Sequence, residues 1–150
     1  MDLILWRHAE AQDGVPDMER ALSDKGRAQA AAMARWLAPR LPVPVSILVS
    51  PARRAQETAL ALKRPIETRP ELGPGAGPAE ILKAAGWPKA KGAVVVVGHQ
   101  PTLGEVASLV LAGAAAPWGV KKAGVWWLTY RVRDNEAQTL LRLVLAPEFL

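Results

Sequence analysis

Apolar residues along the chain fall into short continuous runs, separated by longer stretches in which they recur every three or four positions. Leu3-Ile4-Leu5-Trp6, Val45-Ser46-Ile47-Leu48-Val49 and Ala93-Val94-Val95-Val96-Val97 are runs of the first kind, the pattern of strands buried on both faces. Ile66 to Arg69 reads as a shorter third strand, so the Val-rich run is the fourth. Ser23 is placed to cap a helix reaching about Ala38, with Ala30, Met33, Ala34 and Leu37 on one face and Pro39, Pro42 and Pro44 beyond its end. Ser50-Pro51 is expected to open a second helix through about Leu62, with proline in its first turn. A short helix is expected over about Ala79–Ala85, and another from Pro101 to about Leu111. Polar residues 7–22, with Gly14 and Pro16, form a long loop directly after the first strand; 70–78 and Gly113–Gly124 are further irregular connections. Two alternating segments, about 125–131 and 138–145, flank Asp134-Asn135 and predict a hairpin. The resulting order βαβαβαβαββ predicts a single α/β domain over residues 1–150: a mostly parallel open sheet, helices on both faces and a C-terminal hairpin.

Composition narrows the chemistry. With 150 residues, half of them hydrophobic and 22% charged, the chain has the makings of one self-sufficient core. It contains no cysteine, which removes disulfides, thiolate metal sites and a cysteine nucleophile. No apolar run approaches the roughly 18–20 residues of a membrane span. The first strand-like run stops at Arg7-His8, too soon for a signal-peptide core. A cytoplasmic protein without membrane contact is expected. The 19 Lys and Arg against 14 Asp and Glu leave a net charge of +5. Nucleic acid, an anionic membrane surface or a small anionic substrate could each answer that excess.

Open α/β sheets bind ligands outside the carboxyl ends of their strands, and three predicted strands end there in capable residues. The first leads into Arg7-His8-Ala9-Glu10, the second into Ser50 with Arg53-Arg54 one helical turn later, and the Val-rich strand into Gly98-His99-Gln100-Pro101. Both histidines of the chain thus occupy the same relative position. Arginine forms bidentate bonds to phosphate oxygens, and helices opening at Pro51 and Pro101 would turn their positive ends to the same edge. A phosphate pocket is expected. Metal ligation is disfavoured, since the histidines lack HxxxH spacing and only Glu10 lies close to one of them. Ser50 sits in Val-Ser-Pro rather than a GxSxG elbow, and no GxxxxGK[ST] occurs. What remains is an imidazole that attacks phosphorus itself.

Four segments carry a resemblance. Leu5-Trp6-Arg7-His8-Ala9-Glu10-Ala11 resembles the RHG/RHA motif of the histidine phosphatase superfamily, and Leu22-Ser23-Asp24-Lys25-Gly26-Arg27 its L-T-x-x-G-R segment. Ser50-Pro51-Ala52-Arg53-Arg54-Ala55-Gln56-Glu57-Thr58-Ala59 is similar to S-P-x-x-R-A-x-x-T-A, and Val97-Gly98-His99-Gln100-Pro101 to V-x-H-x-P. They occur in the family's order and span the chain to about residue 111. The compact length and the Asp17-x-x-Arg20-x-Leu22 run look most like the small SixA-type phosphohistidine phosphatases.

The resemblance implies a phosphoglycerate mutase-like fold and a metal-independent, cofactor-free phosphatase that forms a phosphohistidine enzyme intermediate. His8 matches the nucleophile, Arg7 and Arg54 the arginines that hold the phosphoryl oxygens, and His99 the histidine that stabilises the transferring group. Arg20 and Ser50 match substrate-binding positions; Arg53 is expected to face solvent. His8 is expected to stay neutral under neighbouring arginine charge, with one ring nitrogen donating to a backbone carbonyl. The chain departs from larger members where they carry a leaving-group acid: the matching text is Glu71-Leu72-Gly73-Pro74, which leaves Glu71 and Glu10 as substitutes. A missing acid handicaps hydrolysis of alkyl phosphate esters more than that of phosphohistidine. A phosphorylated protein carrying phosphohistidine is therefore the expected partner, and a small phosphate ester the alternative. A non-catalytic basic module that binds nucleic acid or other anions is the other class considered. Its support is Lys89, Lys91, Lys121, Lys122 and the aromatics Trp118, Trp126 and Trp127, but no nucleic-acid motif accompanies them, and tryptophans in strands are more often core.

Overall fold

The computed structural model describes residues 1–150. Its strands are β1 (Asp2–Arg7), β2 (Val45–Val49), β3 (Glu67–Thr68), β4 (Ala93–Gly98), β5 (Val125–Arg133) and β6 (Glu136–Leu145). Its helices are α1 (Asp24–Leu37), α2 (Arg53–Leu60), α3 (Pro78–Ala85) and α4 (Thr102–Ala112). All six strands form one sheet in the order β3-β2-β4-β1-β5-β6. The first four are mutually parallel, and β5 and β6 run antiparallel at the other side.

The continuous apolar runs are explained by cover on both faces. Alternate residues of β1 enter different cores: Ile4 and Trp6 pack with Met33, Ala34, Leu37, Ala55 and Ala59 of α1 and α2. Leu3 and Leu5 pack with Ile81, Ala85, Leu103, Val106 and Ala107 of α3 and α4. Every residue of β4 is buried in the same way. The hairpin turns at Asp134 and Asn135, both at positive φ (52° and 62°), the backbone demanded by a two-residue turn matched to strand twist.

Several boundaries shift by one or two residues, and two of the differences bear on the connections and the site. Residues 70–78 are not all loop, since Pro70–Leu72 make a 3₁₀ turn and α3 begins at Pro78. More important for the site, α2 starts at Arg53 rather than at Pro51. Ala52 is still extended (φ −61°, ψ 135°), and its N–H donates to Ser50 Oγ at 3.1 Å. That local bond holds Ser50-Pro51-Ala52 in a turn and delays the helix by two residues.

The long loop after β1 is fastened to the start of α1. Ser23 caps the helix through Gly26 N–H (3.0 Å), and the Ser23 hydroxyl donates to the Glu10 carboxylate (2.9 Å). Gly26 lies so close to Glu10 that a Cβ there would overlap the Glu10 carbonyl oxygen. Because the obstacle is backbone, it cannot rotate away. Gly26→Ala is expected to destabilise the fold by about 3 kcal/mol, measured by urea denaturation; a change within 0.5 kcal/mol would show that the loop can move aside.

Candidate active site

Strand register assembles the site. β2, β4 and β1 are adjacent and parallel, with Val49 opposite Val97 and Arg7 opposite Gly98. Ser50 N–H and His8 N–H then continue the two ladders onto the carbonyls of Val97 and Gly98, each at 3.0 Å. His8 and His99 consequently emerge side by side, ring centroids 5.1 Å apart. Arg7 closes β1, and Arg54 lies on the first turn of α2, which opens directly beyond β2.

Both imidazoles are buried. His8 Nδ1 lies 2.7 Å from the carbonyl of Ala9. A carbonyl only accepts, so Nδ1 carries the hydrogen and Nε2 keeps its lone pair. The residue that supplies this acceptor is itself fixed: Ala9 N–H donates to Thr58 Oγ1 at 3.0 Å, and Thr58 Oγ1 donates to the Arg54 carbonyl at 2.7 Å. Burial, more than charge, lowers the His8 pKa to about 4, with the Arg54, Arg7 and Arg20 guanidiniums adding to the effect against the Ala9 carbonyl. The sequence expectation of a neutral His8 holds, but its largest cause is desolvation rather than arginine charge. His99 is lowered to about 3, first by burial, then by His8 and Arg54.

The arginines are anchored but not saturated. Arg7 Nη1 donates to the Val120 carbonyl at 2.8 Å. Arg54, only 4% exposed, donates from Nη1 to the Asp17 carbonyl (2.8 Å) and from Nη2 to Asp17 Oδ2 (3.1 Å). The Nε–H of each guanidinium is buried without an acceptor. Orphaned charged donors on both sides of a histidine pair are costly unless an anion completes them. Arg54 Nη2 also lies 3.5 Å from His99 Nδ1.

Ser50, expected to bind substrate, is turned inward to His99. It is fully buried, accepts from Ala52 N–H, and its Oγ lies 2.8 Å from His99 Nε2. A guanidinium only donates, so His99 Nδ1, 3.5 Å from Arg54 Nη2, is the acceptor, and Nε2–H donates to Ser50 Oγ, which also accepts from Ala52 N–H. Ser50 and Arg54 thus hold the His99 ring from its two nitrogens. Ser50→Ala is expected to lower kcat about tenfold and to shift the His99 tautomer balance in ¹⁵N NMR. An unchanged tautomer signature would reduce Ser50 to packing.

Arg20 reaches the site through Asp17, donating from Nε to Asp17 Oδ1 at 3.0 Å, while its Nη1 donates to the Gln12 carbonyl at 3.1 Å. Asp17 thus bridges Arg20 and Arg54, and bonds to those guanidiniums hold its carboxyl below the usual range. Sequence reasoning noted Asp17 only for its spacing to Arg20, and assigned no role to it or to Thr58. Arg53 is exposed, 3.6 Å from Glu57, as expected for a solvent-facing charge. The two substitute acids are engaged elsewhere. Glu10 accepts from Ser23 and lies 3.9 Å from Lys25. Glu71 accepts from Arg69 Nε at 2.6 Å and is held below the usual carboxylate range, first by its own backbone and then by Arg69.

No group of three or more His, Asp or Glu side chains is arranged to hold a metal ion, and no helix is long and apolar enough to cross a membrane. Trp6 and Trp127 are buried, and Trp118 and Trp126 are half-buried against each other with centroids 6.0 Å apart. This arrangement leaves them poorly placed as a platform for bases.

A family model described as the histidine phosphatase superfamily (branch 1) matches residues 3–75. An uncharacterized protein of Picosynechococcus sp. is 32% identical over 165 residues, covering 100% of this chain and 99% of the relative. A structure from Nakamurella multipartitia, provisionally described as the phosphohistidine phosphatase SixA, superposes with a TM-score of 0.77 at 29% identity over 97% of this chain and 95% of that one. One from Agrobacterium tumefaciens with the same provisional description has a TM-score of 0.78 at 27% identity, over 97% of both chains.

Proposed function

The chain belongs to the histidine phosphatase superfamily as a SixA-type member and is a phosphatase, and from that premise we propose that it removes the phosphoryl group from phosphohistidine in a phosphorylated protein. His8 Nε2 donates its lone pair to phosphorus, the bond from phosphorus to the substrate imidazole breaks, and the leaving nitrogen takes a proton from solvent. Arg7 and Arg54 neutralise the transferring oxygens, Arg20 adds charge at the mouth, and the His99 ring lies beside His8 against the same group. Water then attacks phosphorus, the bond to His8 breaks with its electron pair returning to Nε2, and inorganic phosphate departs. No metal or organic cofactor takes part in either step.

The observation that carries the substrate choice is the state of the carboxyl groups. Asp17 at the mouth and Glu71 at the expected acid position are both held in their charged forms by arginine and backbone donors, and Glu10 is tied to Ser23. None is poised to give a proton to an alkoxide, whereas an imidazole leaving group can draw one from solvent. The descriptions of the two structural relatives support the same substrate class. A panel of phosphohistidine protein, free phosphohistidine and alkyl phosphate esters tests it. We expect kcat/KM on phosphohistidine to exceed that on alkyl esters at least about 100-fold. The reverse ranking would make the protein a small-molecule phosphomonoesterase.

A further inference from the structure

Beside the phosphoryl site lies an open cleft of about 370 Å³, whose polar lining comes from Arg7, Lys25, Gln29, Lys121, Lys122 and Glu148. Arg7 belongs to both places, so whatever fills the cleft adjoins the transferring group. The two lysines are not loosely placed. Their segment is bound to Arg7 and His8: Val120 accepts from the Arg7 side chain at Nη1, Gly124 accepts from Arg7 N–H at 3.1 Å, and Ala123 N–H donates to the His8 carbonyl at 3.2 Å. The Ala123 carbonyl also accepts from Trp6 Nε1 at 3.1 Å. Ala123 is fully buried in a left-handed conformation (φ 57°), and Gly124 N–H closes the turn on the Lys121 carbonyl at 2.7 Å. Backbone strain of this kind persists where surrounding bonds over-determine it. Here it sets the segment that carries Lys121 and Lys122 into the lining of the cleft that Arg7 shares.

The chain already places acid against this surface. Glu148, on the 3₁₀ turn Pro147–Phe149, pairs with Lys121, and Glu10 approaches Lys25 at 3.9 Å. Lys122 has no carboxylate within ion-pair distance. We infer that the cleft is a docking subsite for acidic side chains flanking the phosphohistidine of a protein substrate, with Glu148 as a built-in competitor. The inference rests on the phosphohistidine reading above and adds to it the surface chemistry of the partner. Both lysines are exposed, so each ion pair contributes modestly, and the effect depends on salt.

An unphosphorylated glutamate-rich peptide is the probe, assayed as an inhibitor of p-nitrophenyl phosphate hydrolysis, whose leaving group needs no acid. Competitive inhibition is expected, about fivefold weaker in Lys121→Gln/Lys122→Gln, about twofold stronger in Glu148→Gln, and lost near 1 M salt. Equal inhibition of wild type and the lysine variant, or none of either, would overturn the proposal. So would stronger, lysine-dependent inhibition by an oligonucleotide than by the peptide. In parallel, phosphohistidine peptides with acidic and neutral flanks are compared. If neither is hydrolysed while lysine-dependent inhibition persists, the substrate reading fails and the acidic docking site stands. If both are hydrolysed with no lysine-dependent preference, the reverse holds.

Discussion

His8→Ala is expected to abolish the acid-labile phosphoenzyme and to lower turnover by about 10⁴-fold or more, because nothing else in the site offers a lone pair to phosphorus. His99 cannot stand in: its Nε2 is engaged with Ser50 and its Nδ1 faces Arg54. Labelling with a radioactive phosphodonor and acid quench measures the intermediate, and full turnover by the variant would end the covalent mechanism. The wild-type pH profile supplies a second reading of the same atom. With the His8 pKa lowered to about 4, Nε2 is free above that value and protonated below it. The acid limb of kcat/KM should therefore fall near pH 4, not near the 6.5 of an ordinary imidazole. Folding feels the same shifts. Between pH 6.5 and about 4 the unfolded chain binds protons at both histidines while the folded chain does not. Their contribution to stability is accordingly full above 6.5 and declines as pH falls through that window.

Why some of this could be read from sequence and some could not follows from range. β2 was legible to the residue because a run of five largely apolar positions lies between Pro44 and Ser50-Pro51, its last three buried, and the four buried apolar positions of α1 followed from 3.6-residue periodicity. The hairpin turn was legible from Asp134-Asn135, a strictly local requirement. The start of α2 was misplaced because proline is compatible with a first turn, whereas the deciding bond, Ala52 N–H to Ser50 Oγ, belongs to a side chain already committed to His99, 49 residues away. The same long-range bond turns the Ser50 hydroxyl toward His99. Asp17 carried no periodic signal at all: one carboxylate in a polar loop acquires meaning only when Arg20 and Arg54 arrive on either side of it. Strand order had the same character, for nothing local states that β4 enters between β1 and β2 and so sets His99 beside His8.

Arg53 and Arg54 bring that point to a sharp test, since they are chemically identical neighbours with opposite surroundings. Arg54→Ala is expected to lower kcat/KM by about 10²–10³-fold and to weaken inhibition by inorganic phosphate, whereas Arg53→Ala, which removes an exposed charge 3.6 Å from Glu57, should stay within about twofold. Arg54→Lys should recover little. The native guanidinium reaches the Asp17 carbonyl and Oδ2 through two nitrogens, with the third buried and unpartnered, and an ammonium cannot reproduce that fork. Part of any loss could come from folding, because removing Arg54 leaves the Asp17 carbonyl without its donor. Urea denaturation of the same variants separates the two: a folded Arg54→Lys protein with a weakened phosphate Ki places the loss in anion binding. Near-native activity in folded Arg54→Lys would mean that charge alone suffices at this position, and the bidentate geometry would lose its role. The Arg53 result then supplies the control: an exposed guanidinium one residue away, on the same helix, should matter little where the buried one matters much.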